Sequence, residues 1–121
     1  MLHFLLVFIG GGLGSVCRYG LGIWAQPWQS RFPVATLAAN GLACVVLGAV
    51  LGLQVGGQIP ERYRLLLATG FCGGFSTFST FTAETWQLAQ SGQTSTALLN
   101  VAANMGVCLL GMLLGMKFTE L

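Results

Sequence analysis

Aspartate is absent from the 121 residues, and glutamate is confined to Glu61, Glu84 and Glu120. Paired carboxylates for acid–base catalysis are scarce from the outset. With no nucleophile–base or metal constellation, an enzyme is the least supported reading. His3 is the only histidine. Charged residues make up 7% of the chain, where an ordinary soluble domain carries about 25%. A soluble chain of this size could not cover its surface with so few charges, so the class is integral membrane, one domain. The net charge of +2 is far too small to point to nucleic acid. The four cysteines, Cys17, Cys44, Cys72 and Cys108, fall one to each hydrophobic segment, without a CxxC pair or a histidine partner. That argues against a zinc or iron–sulfur site, and burial as small hydrophobes accounts for them. The N-terminus lacks a basic n-region and stays apolar too long for a cleaved signal peptide, so it reads as a first span.

What is abundant is apolar sequence: 55% hydrophobic residues and a mean hydropathy of +0.77. It falls into four segments, about 2–25, 34–53, 63–89 and 97–118. Each is long enough to cross a hydrocarbon core of about 30 Å as a helix. The expectation is a single all-α integral membrane domain over residues 1–121, with four transmembrane helices and both termini on one side.

The third segment is the odd one. From Gly70 to Thr82 it holds three glycines, four phenylalanines and five hydroxyl residues. Glycine raises the cost of keeping helix, and unpaired backbone groups cannot face hydrocarbon. The segment is also longer than a span requires. Tilt would absorb the excess, as would a non-helical turn at Gly73-Gly74. The glycine and hydroxyl content favours the turn, with freed carbonyls lining something polar.

Glycines recur at four-residue spacing, Gly10 with Gly14, Gly48 with Gly52 and Gly111 with Gly115, which suits close helix packing within or between subunits. Orientation is poorly specified. Arg62, Arg64 and Lys117 fall on the side of the termini, Arg31 and Arg18 towards the other, a feeble positive-inside bias that predicts insertion both ways.

Polar residues inside spans are costly and face the bundle interior or a water path. Thr36 and Asn40 share a face of the second segment, and Asn100, Asn104 and Cys108 share one of the fourth. Two matched stripes read as the walls of a pathway, with interhelical hydrogen bonding as the plainer alternative. Phe75, Phe78 and Phe81 either pack in a core or present partly positive ring edges to a small anion. Arg18 either snorkels to the headgroups or forms a positive vestibule gathering anions. Glu84 either pairs with a cation or marks a pore mouth.

Three stretches resemble the Fluc/CrcB family of fluoride channels. They are Gly11-Gly12-Leu13-Gly14-Ser15-Val16-Cys17-Arg18-Tyr19, Thr36-Leu37-Ala38-Ala39-Asn40, and the Gly70–Phe81 run with its Gly73-Gly74-Phe75-Ser76-Thr77-Phe78-Ser79-Thr80-Phe81 core. The third is the most specific. The resemblance covers nearly the whole chain and implies an antiparallel, dual-topology homodimer in the cell inner (plasma) membrane, carrying fluoride out passively. It implies a structural sodium ion held by the main-chain carbonyls of Gly73 and Ser76, and a fluoride pore lined by Asn40, Phe78 and Phe81, with Thr36 on the same track. The family's fourth-helix track falls on Asn100, Asn104 and Cys108. Departures are Ala35 and Ala43 for glycine, Asn100 for tyrosine and Cys108 for serine. The leading rival is a small dual-topology multidrug or cation exporter, which would want a membrane-embedded carboxylate that the first segment lacks. A non-transporting assembly subunit is a second rival.

Overall fold

A computed structural model describes residues 1–120. Among these residues every regular element is helical. The helices are α1 (Leu2–Trp24), α2 (Val34–Val55), α3 (Glu61–Arg64), α4 (Gly73–Phe75), α5 (Phe78–Gln90) and α6 (Thr94–Glu120). A π-helical stretch, Leu65–Cys72, joins α3 to α4 without interruption. Three helices, α1, α2 and α6, are individually long and apolar enough to cross a membrane. The third hydrophobic segment is assembled from pieces instead: residues 61–75 make one arm and α5 the other.

The chain runs up and down. A short 3₁₀ turn, Gln26–Trp28, follows α1, and residues 29–33 meet Gln87, Leu88 and Ser91 of the third crossing around one cavity at the same end. At the opposite end His3, Phe4 and Val7 share a cavity with Leu65. Two helices end in the same way. After α2, Gly57 adopts φ +66° while the Gln58 N–H bonds the Leu53 carbonyl; after α5, Gly92 adopts φ +81° while the Gln93 N–H bonds the Leu88 carbonyl. Both are Schellman stops, and the left-handed residue is glycine because a side chain is strained there.

Packing follows the small residues. α2 lies chiefly on α6, and α1 on the π-helical stretch and α4. A Cβ placed on Gly14 would collide with the Phe71 carbonyl, one on Gly74 with the Gly11 carbonyl, and one on Gly115 with the Val45 carbonyl. The glycine pairs therefore bring backbones together within one chain. With lipid as apolar as the side chains, such close contact is what favours association. The core centres on Ala39, Ala43, Cys72 and Phe75, where α2 crosses the third segment.

The third crossing is broken, but not at Gly73-Gly74. Those two residues remain helical, and the extended backbone comes at Ser76 (ψ 157°) and Thr77 (φ −153°, ψ 120°). The physical reason lies in their neighbours. Gly70 and Gly74 are needed for the approach of α1, whereas Ser76 and Thr77 have hydroxyls that bond the backbone at the two helix ends. The Ser76 Oγ donates to the Cys72 carbonyl at 2.7 Å, and the Thr77 Oγ1 accepts from the Thr80 N–H at 3.2 Å as the cap of α5.

Candidate functional site

Asn40, two turns into α2, holds the break open. Its Oδ1 accepts the Thr77 N–H at 2.8 Å, and its Nδ2 donates to the Thr77 carbonyl at 3.2 Å. One side-chain amide thus replaces both backbone bonds that Thr77 would make in a continuous helix. The second proton on Nδ2 goes to the Oδ1 of Asn104 at 3.1 Å. Asn104 in turn donates to the Asn100 carbonyl and Oδ1, each at 3.0 Å, and Asn100 donates to the Thr85 Oγ1 at 2.9 Å. Thr85 closes the chain on the Phe81 carbonyl at 2.8 Å. The network ties α2, α6 and α5 together at membrane depth. Asn100 is fully buried, so its amide needs these partners.

Beside the network runs a groove. Asn40, Phe78, Phe81, Asn104 and Cys108 line one hollow of about 240 Å³, and an adjoining one of about 220 Å³ adds Ser76 and Thr77. No charged side chain lines either hollow. The rings of Phe78 and Phe81 lie 5.6 Å apart and tilted by 46°. Phe78 is 78% exposed, which leaves the groove open along one side of the chain.

Two of the sequence-predicted residues sit elsewhere. Thr36, four residues before Asn40, is buried and donates to the Glu84 Oε1 at 2.9 Å instead of lining the groove. The other oxygen of Glu84 is buried with no hydrogen-bond partner among the described residues, and Glu84 lines a cavity of about 400 Å³ with Gln29, Ser30, Arg31 and Gln87. Arg18 is half-buried, and its Nε donates to the Gly74 carbonyl at 3.1 Å, two residues before the break. The carbonyls of Gly73 and Ser76 accept no hydrogen bond among the described residues. Both are hard oxygen donors turned free by the break.

Thr77 and Thr85 carry roles that sequence reasoning did not single out. Thr77 has a signal in hindsight: it stands three residues before Thr80, the spacing of a helix cap. Thr85 has none.

A family model described as CrcB-like protein, Camphor Resistance (CrcB), matches residues 5–116. A fluoride-specific ion channel FluC of Pyrococcus furiosus is 51% identical over 100 residues, covering 82% of this chain and 80% of that protein. One from Klebsiella pneumoniae is 48% identical, covering 82% and 79%. One from Thermus thermophilus is 42% identical over 116 residues, covering 95% and 91%.

Proposed function

This chain belongs to the CrcB-like family, and from that premise we propose that it is a fluoride-selective channel giving passive fluoride efflux. It is a multi-pass membrane transport protein and not an enzyme. Acid outside a cell drives fluoride inward as neutral HF, which dissociates in the more neutral cytoplasm. A selective pore lets the trapped anion leave down the membrane potential.

One observation carries the reading: the groove at the helix break sets amides, hydroxyls and two aromatic rings among apolar and sulfur side chains, with no carboxylate. Fluoride is small and strongly hydrated, so its water must be replaced by close donors. The Nδ2 of Asn40 is such a donor once an anion takes over its bond to Asn104. The edges of Phe78 and Phe81 carry partial positive charge beside it. Asn104 and Cys108 extend the path along α6, while Thr36 and Arg18 support it from its flanks.

The open side of the groove favours a second, antiparallel copy as the element that closes it. The free carbonyls of Gly73 and Ser76 fit a hard monovalent cation such as sodium, since such ions prefer oxygen ligands. Bound between two copies, the ion would supply positive charge that ties the two breaks together. The alternative of a drug or cation exporter finds no support among the relatives described above.

The test is fluoride-electrode efflux from liposomes holding the purified protein, with chloride as the comparison. Fluoride efflux without chloride efflux is expected. Phe78→Ile and Phe81→Ile should each abolish it while the dimer still assembles. Normal efflux in both variants would remove the ring pair from the mechanism.

A further inference from the structure

Four sulfur side chains converge on the groove. Met105, Cys108 and Met112 are spaced by three and four residues, so they share one face of α6. Cys44 meets them from α2. All four line the same hollow of about 240 Å³. Cys44 and Cys108 also share the adjoining hollow with Asn40, and both thiols are free. The helices touch at this depth: a Cβ on Gly111, one turn beyond Cys108, would stand 3.4 Å from the Cys44 Cβ.

A fluoride path has no use for the two thioethers. Thioether sulfur donates no hydrogen bond and is at best a weak acceptor, so it offers nothing to a hard anion. Thiolate and thioether together are the donors that select soft monovalent metals over hard ones. No group of three or more His, Cys, Asp or Glu occurs among the described residues, so nothing here competes with a sulfur-only set.

We propose that this hollow is a binding site for a soft monovalent metal cation of the Cu(I) or Ag(I) kind, with Cys44, Cys108, Met105 and Met112 as its donors. Loading displaces one thiol proton into the groove water, because the ligating form of cysteine is the thiolate. One cation and one thiolate leave the site neutral, which avoids the large cost of an unpaired charge in the low dielectric of a membrane. The second thiol and the two thioethers complete the shell as neutral donors. An ion held there sits beside Asn40 and Phe78 and obstructs the groove. That last step rests on the fluoride-channel reading; the binding step does not.

Silver nitrate in chloride-free buffer is the probe, applied to the full chain in liposomes. Silver retained after desalting is measured by elemental mass spectrometry, and fluoride efflux is scaled to each variant's own silver-free rate. The wild type and Cys17→Ala should retain a tightly held ion and lose efflux on loading. Cys44→Ala and Cys108→Ala should lose both retention and block. Met105→Leu combined with Met112→Leu keeps both thiols and conserves volume, and should still release silver several-fold faster. Unchanged retention in the double methionine variant would overturn the four-sulfur site, as would unchanged retention in either groove-cysteine variant. A wild type that conducts fluoride but holds no silver would sink the site alone. One that holds silver but passes no fluoride would sink the channel reading and leave the site standing.

Discussion

Asn40 shows how much one side chain has to do where a helix is broken in a membrane. It satisfies the N–H and the carbonyl of Thr77 and joins them to Asn104. Leaving a buried peptide group without a partner costs about 1–3 kcal/mol. Asn40→Ala is expected to lower the thermal midpoint in detergent by that order of stability, and to slow fluoride efflux by closing the break. Asn40→Asp should be worse, because an ionised carboxylate would face the Thr77 carbonyl and the Asn104 Oδ1 with no proton to offer either. Equal midpoints for Asn40→Asp and wild type would show that Thr77 finds another partner. The sequence marked Asn40 as polar at membrane depth, and that much follows from cost alone. Its partner was not legible, since which residue faces Asn40 depends on how far α2 is rotated and slid against the third crossing. Thr36 makes the same point: four residues along the same face, it meets Glu84 and not the groove.

At the scale of the element, composition announced a break and misplaced it by two or three residues. Glycine in a helix has two explanations, poor helix propensity and close packing, and a single sequence does not separate them. Gly73 and Gly74 looked like the interruption, yet both are helical, and Gly74 is pressed against the backbone of Gly11. The π-helical turn at Leu65–Cys72 left no trace in a plain run of apolar residues. Gly14→Ala or Gly74→Ala should therefore destabilise the fold, at about 1–3 kcal/mol for overpacking and more if the backbones cannot separate. Gly106→Ala, whose new methyl meets nothing within 4 Å, should leave the thermal midpoint unchanged or slightly raised. Thermal unfolding of the three variants side by side checks this; a loss of stability at Gly106 as large as at Gly74 would refute the packing account. Ser76 and Thr77 were readable as hydroxyl-rich, and the hydroxyls prove to be caps for the two helix ends.

For the whole molecule, a multi-span helical membrane class followed from hydropathy and segment length alone, because those depend on sums over many residues. What hydropathy does not supply is the surface that a second copy would cover. Phe78, on the open side of the groove, is 78% exposed. The weak charge bias makes the antiparallel arrangement testable. A variant with Gln54→Lys and Gln58→Lys adds cations on the side of the termini, and one with Arg62→Gln, Arg64→Gln and Lys117→Gln removes them. Each variant is expected to insert mostly one way and to give little fluoride efflux when expressed alone. Expressed together, they should restore it. Full efflux from either variant by itself would exclude a dimer that needs both orientations.

The break at Ser76-Thr77 has an electrostatic consequence as well. A continuous helix keeps its partial charges at the two faces of the membrane, about half a positive charge at its start and half a negative one at its end. Interrupting it creates two more ends in the middle of the bilayer. The arm that stops at Phe75 brings the negative end of its dipole to the carbonyls of Gly73 and Ser76, and α5 brings its positive end to Phe78 and the groove. Opposite fields thus stand within a few residues of each other, one welcoming a cation and the other an anion. A change in charge at either end is felt at the other across a single extended turn.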